Sequence, residues 1–230
     1  MAITVIFIST ASFYVLFRII LSSVNYFMRI STFMPRGRPR KYREDEALAS
    51  AMQVFWKKGL AAASLDDLSL AMNMNRPSIY NAFGNKDALY RKSLAAFRAE
   101  LERTLEKTLD GSEKVQAELE SFFYQAISVY CGNDPALGCF MVCTAPSEAI
   151  SHPEVGKDLK ELTEKIDKSF EGRLRLAQGK GEVSSDLDIA LTAKLLQATL
   201  QTLAIRARAG ATAVTLRRLA KYSVVTLLAT

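Results

Sequence analysis

Ser64-Leu65-Asp66-Asp67-Leu68-Ser69-Leu70-Ala71-Met72-Asn73-Met74-Asn75-Arg76-Pro77-Ser78-Ile79-Tyr80-Asn81-Ala82-Phe83-Gly84-Asn85-Lys86-Asp87-Ala88-Leu89 decides the fold. Ser64 with Asp67 three residues on has the form of a capping box, opening a short helix whose Leu65, Leu68 and Ala71 point inward. Asn73 follows where the chain must turn, in a residue type that tolerates left-handed backbone. Asn75 then caps a further helix with Pro77 in its first turn. Two short helices joined by three or four residues make a helix-turn-helix. At 100° per residue, Ile79, Ala82 and Phe83 share one side of the second helix, and Arg76, Pro77, Tyr80 and Asn81 share the other. One side is core and the other polar and basic. Lys86 begins the next helix after Gly84 and Asn85, where an ammonium and backbone amides suit a phosphate oxygen.

The same run resembles the DNA-binding domain of the TetR family of transcriptional repressors over about Glu44 to Arg98, with Tyr80, Phe83 and Lys86 as its most distinctive part. It departs from that pattern at Asn73, where the family usually has Gly; Asn reaches the same conformation. The resemblance implies that Arg76, Pro77, Ser78, Tyr80 and Asn81, on the helix capped by Asn75, face the major groove. It also implies that Ser64, Tyr80 and Lys86 face the DNA backbone.

Upstream, Glu44, Asp45 and Glu46 favour a helix start, Ala47, Leu48, Ala51, Met52, Phe55 and Trp56 form one apolar face, and Lys57, Lys58 and Gly59 supply stop signals. This completes a three-helix domain over 44–98. The preceding 34–43 is a basic arm in which Arg36-Gly37-Arg38-Pro39-Arg40 looks like an AT-hook, a narrow strip of guanidinium groups for an A·T minor groove; the alternative is a nonspecific electrostatic arm. From Met34 to Arg98 there are twelve basic and six acidic side chains, and after Arg98 sixteen and eighteen, within a net charge of +6 for the 230 residues. The basic field is localised, as in a polyanion-binding module joined to a near-neutral partner domain.

Residues 1–33 form an apolar extension with only Arg18 and Arg29 as charges. They read as a translated upstream region before a start at Met34, as a membrane anchor, or as an extra docking helix. The expected location is the cytoplasm, with a membrane-tethered regulator as the alternative.

Residues 99–230 read as a larger helical domain for effector binding and dimerisation, so the fold class is all-α. Its helices are expected over Arg91 to Asp110, Ser112 to Cys131, Leu137 to Ile150, Pro153 to Gln178, Leu187 to Ala209 and Ala213 to Leu228. In the last two, apolar residues nearly encircle the helix, more than an intrachain core covers. The family resemblance implies that these two pair with a second subunit, giving a homodimer suited to a two-fold double-stranded DNA operator. Phe123, Tyr124, Ile127, Phe140 and Phe170 are candidate effector-lining residues, although such stripes equally form plain core. Cys139 and Cys143, one turn apart, place two thiols on one face, able to take a soft metal or react with oxidants and electrophiles, or to sit as inert core. A small molecule, a metal or a thiol-reactive compound is therefore the expected effector releasing a repressor from its operator; no metal site is assigned beyond the candidate Cys139 and Cys143 pair, and no cofactor is implied.

Enzyme classes find little support. The one histidine, His152, reads as a solvated turn residue, and there is no phosphate-cradling glycine loop and no Gly-x-Ser-x-Gly elbow. A nonspecific architectural DNA binder relying on the arm is the remaining alternative.

Overall fold

The computed structural model describes residues 43–229, which form nine helices and, among the described residues, no strand. They are α1 (Glu44–Ala62), α2 (Leu65–Met72), α3 (Arg76–Phe83), α4 (Lys86–Thr108), α5 (Val115–Tyr130), α6 (Phe140–Glu148), α7 (Pro153–Gly179), α8 (Ile189–Arg208) and α9 (Ala213–Leu228). The apolar extension and the arm residues Arg36, Arg38 and Arg40 lie outside the described residues.

Local chemistry accounts for the first four helices. Three carboxylates in the first turn of α1 sit at the positive end of its dipole, and Ala47, Ala51, Phe55, Trp56 and Leu60 bury its inner face. Gly59, at φ 75° and ψ 174°, breaks the helical backbone as its position after two lysines predicts, and a last short turn follows to Ala62. Both hydrogen bonds of the Ser64–Asp67 capping box are present. Asn73 takes the left-handed conformation (φ 50°, ψ 42°), and its N–H closes α2 on the Leu70 carbonyl. The Asn75 side chain accepts from the Ser78 N–H to start α3, and that of Asn85 accepts from the Ala88 N–H to start α4.

α4 then runs through residue 98, joining the three-helix part to the rest. At the junction Trp56 of α1, Tyr90 and Phe97 of α4 and Phe140 of α6 pack edge to face or tilted, with ring centroids 5.4–5.9 Å apart, and Phe55 meets Tyr90 edge-on at 5.2 Å. Such rings hold α1 and α4 against α6 through a large non-directional contact. The helix expected over 137–150 is trimmed at its start because Gly138 takes φ 68° and Cys139 is extended.

A second aromatic group, Phe122, Phe123 and Phe170, ties α5 to α7. Beside it the buried Arg173 Nε donates to Glu118 at 2.5 Å and its Nη2 to the Glu113 carbonyl at 2.8 Å and to Glu182 at 3.3 Å. Two carboxylates and a carbonyl are what make a buried guanidinium tolerable here. α9 packs on α5 and α8. The far sides of these last helices leave Leu191, Leu195, Ile205, Val214, Tyr222 and Val225 exposed, the outward apolar face expected from their encircling pattern. No helix among the described residues is long and apolar enough to cross a membrane.

Candidate nucleic-acid interface

The side of α3 away from the core carries the residues expected there. Ile79 and Phe83 are buried, while Arg76, Pro77, Tyr80 and Asn81 are exposed and Ser78 is half-buried. No acidic side chain lies in the first turn of α3, so the positive end of its dipole faces outward unopposed from within the helix. A polar ridge about two turns long, with no acidic side chain of its own, suits a major groove.

Several of these side chains are already engaged within the chain. Arg76 grips Asp66 of α2, with Nη2 2.6 Å and Nε 3.2 Å from Oδ1. The Ser64 hydroxyl donates to Asp67 at 2.7 Å and accepts from its N–H, and Lys58 pairs with the same carboxylate at 2.7 Å. Lys58 and Ser64 together pull the Asp67 carboxyl down to about 2. The Asn75 side-chain oxygen is spent on its cap. Lys86 Nζ donates to the carbonyls of Ala63 (3.1 Å) and Ala61 (3.5 Å), fastening the start of α4 to the end of α1. Ser64, Asn75 and Lys86 thus build the turn and the scaffold, whereas Pro77, Ser78, Tyr80 and Asn81 form the presented surface. One further residue emerges from the structure. Lys92 donates to the Ala82 carbonyl at 3.3 Å and lies over the Phe83 ring at 5.4 Å, closing the end of α3. It lies ten residues from Ala82 on another helix, beyond the reach of spacing arguments.

The residues named for an effector divide. Phe140 belongs to the junction cluster, and Phe123 and Phe170 stack on each other in the α5–α7 core. Ile127 is buried, and Tyr124 is covered by the Arg217 guanidinium of α9. Cys139 borders a narrow, partly open space with Leu101, Tyr130, Met141, Leu162, Gln197 and Gln201. Its volume is about 20 Å³, room for about one water. Burial pushes the Cys139 thiol up to about 12 and raises that of half-buried Cys143 against the opposing pull of Arg208. The thiolate forms are thereby disfavoured. Among the described residues no group of three or more His, Cys, Asp or Glu side chains could hold a metal. His152 is the N-cap of α7 and only partly exposed, its Nδ1 3.6 Å from Glu148 and its Nε2 4.0 Å from Asp87, rather than a fully solvated turn residue.

Comparison with known proteins places this architecture. Residues 47–92 match the model for bacterial regulatory proteins of the tetR family, and residues 115–222 match a tetracyclin repressor-like C-terminal domain. The HTH-type transcriptional repressor ComR of Escherichia coli (strain K12) is 30% identical over 177 residues, covering 76% of this chain and 84% of ComR. The HTH-type transcriptional repressor DhaR of Mycobacterium sp. (strain GP1) is 29% identical over 150 residues, covering 65% of this chain and 74% of DhaR. Among solved structures, a cysteine mutant of the TetR family transcriptional regulator CifR, complexed with 26bp double-strand operator DNA, superposes with a TM-score of 0.75 at 27% identity over 82% of this chain and 98% of that one.

Proposed function

The chain belongs to the TetR family of DNA-binding transcriptional regulators, and from that premise we propose that it is a repressor acting in the cytoplasm as a homodimer on a double-stranded DNA operator. The observation that carries this reading is the pairing of two outward surfaces. The ridge of α3 is exposed, polar and free of acidic side chains, and the far face of α8 and α9 exposes a row of large apolar side chains. The first suits a major groove, and the second a copy of itself across a two-fold axis. Pro77, Ser78, Tyr80 and Asn81 touch the operator directly, Arg76 reaches a base edge on leaving Asp66, and the arm residues Arg36, Arg38 and Arg40 read an A·T minor groove. Residues 44–98 serve as the DNA-binding domain and 99–230 as the effector and dimerisation domain.

Release follows from an uncharged, largely apolar small molecule that widens the narrow space among α4, α5, α6, α7 and α8, with Gln197 and Gln201 as its polar contacts. Burial of the thiols favours this ligand over a thiol-reactive one. Its affinity must differ between the DNA-binding and released arrangements, since equal affinity for both shifts nothing.

The test is selection of bound duplexes from a random library by the full chain, with the oligomeric state measured in parallel by light scattering. A repressor of this kind enriches a palindrome with half-sites about 34–36 Å apart and behaves as a dimer. Enrichment of no sequence would instead make the chain an architectural binder.

A further inference from the structure

At the end of α8 a side chain crosses to the DNA-binding part of the molecule. Arg208 Nη1 donates to the carbonyls of Trp56 (3.1 Å) and Leu137 (3.2 Å), and its Nη2 reaches the carbonyl of Lys57 at 3.5 Å. Trp56 and Lys57 lie just before the break of α1 at Gly59, where the negative end of the helix dipole favours a cation. The indole Nε1 of Trp56 donates to the same Leu137 carbonyl at 3.2 Å, so that oxygen takes one bond from α1 and one from α8. Next to it the backbone of Gly138 lies so close to α8 that a Cβ there would stand 2.4 Å from the Ala204 carbonyl oxygen and 2.8 Å from Cys143 Sγ. Three segments distant in sequence therefore meet in one polar knot beside the aromatic junction.

The two kinds of contact do different work. Ring packing among Trp56, Phe97 and Phe140 holds α1 against α6 and α4 but is weakly directional. Hydrogen bonds from a planar, rigid fork to three carbonyls on two segments restrain rotation and sliding. We propose that Arg208 is a positioning residue for operator recognition: by fastening the end of α1 to the end of α8 it sets how far each α3 stands from the two-fold axis, and hence which half-site separation the dimer accepts. This rests on the homodimer reading above, in which α8 belongs to the frame shared by both subunits. α2 packs on α1, and α3 follows it through a turn closed by the Asn73 cap, so a tilt of α1 carries α3 with it.

The experiment uses the full chain and the half-sites enriched from the random library. These are placed in duplexes at the selected separation and at separations changed by one and two base pairs, together with a duplex carrying one half-site. The parent protein prefers one separation by about tenfold or more, the scale of losing a charge-assisted hydrogen bond from one arrangement. Arg208→Gln leaves affinity for the single half-site within about twofold, weakens binding at the selected separation, and flattens the preference to less than about threefold. Arg208→Lys keeps part of the preference, since its ammonium has donors enough for the Trp56 and Leu137 carbonyls that Nη1 alone joins but loses the further bond to Lys57. Should the glutamine variant fail to fold by circular dichroism, Trp56→Phe removes the second bond to Leu137 while keeping an aromatic ring, and shifts the preference the same way by less. A uniform loss on single and paired half-sites with the separation preference intact would make Arg208 merely structural and overturn the proposal. If the parent itself shows no preferred separation, the homodimer reading fails and this proposal falls with it, a result distinguishable because it needs no variant.

Discussion

Arg76, the first residue of α3, binds Asp66, the second residue of α2, with two guanidinium nitrogens converging on one carboxylate oxygen. Both side chains are exposed, so the pair is a weak one that DNA can part. Its effect is to cancel a positive charge at the leading edge of the ridge until a better acceptor arrives. Asp66→Asn is expected to raise affinity for random-sequence DNA, to steepen the salt dependence by about one unit, and to lower the ratio of operator to random binding. Fluorescence anisotropy across a salt series measures all three. An unchanged salt slope would mean that Asp66 does not govern Arg76.

Lys86 joins α4 to the end of α1 through two carbonyls, so its removal acts on the scaffold as well as on DNA. Lys86→Ala is expected to cost about 1 kcal/mol, seen as a fall of about 2–4 °C in the melting temperature. The salt slope should flatten by about one unit if the ammonium also reaches a phosphate. A lower melting temperature with the same slope would assign Lys86 to the scaffold alone.

Acid separates two kinds of carboxylate. Lys58 and Ser64 hold Asp67 near 2, and the Val115 N–H with Arg173 holds Glu182 low. A folded value below the unfolded one adds stability that is full above the ordinary carboxylate range and, for Asp67, is lost as pH falls from about 4 to about 2. Asp167 runs the other way: burial raises it, and its Oδ1 is buried without a hydrogen bond. Its ionised form therefore opposes folding at neutral pH. Asp167→Asn is expected to stabilise the protein at pH 7, with the gain vanishing in acid below the unfolded value, as read by urea unfolding at several pH values. A gain that persisted at pH 3 would point to a cause other than charge.

The cysteines offer a direct check on the effector. Buried and with its thiol pushed up to about 12, Cys139 in the folded protein should react with iodoacetamide at neutral pH at least about tenfold more slowly than a solvated thiol, and at the ordinary rate once unfolded. Mass spectrometry of labelled peptides resolves this residue by residue. Cys139→Ser with Cys143→Ser should leave release by apolar compounds intact. Rapid labelling, or loss of every response in the double variant, would restore the thiol-reactive effector.

The helix-turn-helix was legible because its signals are local. The Ser64–Asp67 box spans three residues, the Asn73 turn is a property of one residue type, and the face of α3 follows from the helical period. The partners of Arg76, Lys86 and Lys92 were not legible, because each lies on another element and no spacing rule reaches it. The role of the aromatic residues was not legible for a different reason. Phe123, Phe140 and Phe170 have the same periodicity whether they pack on one another or line a space, and only three-dimensional packing separates the two. The interval between Cys139 and Cys143 correctly implied one helical turn, confirmed by the 2.9 Å bond from the Cys143 N–H to the Cys139 carbonyl. It carried no information about how deeply each thiol is buried.

The knot around Leu137 also bears on how this protein can be re-engineered. Arg208 meets backbone carbonyls on α1, and a carbonyl is offered by every residue type. A reading head taken from another regulator could therefore change the residue at 57 and still be gripped, provided that it keeps the aromatic ring and indole donor of position 56 and that α1 ends with the same kink at position 59. A graft that carried the helix straight through that position would keep its own recognition surface yet present it at the wrong angle. For transplants onto this body, the shape of that helix end matters alongside the one side chain at 56.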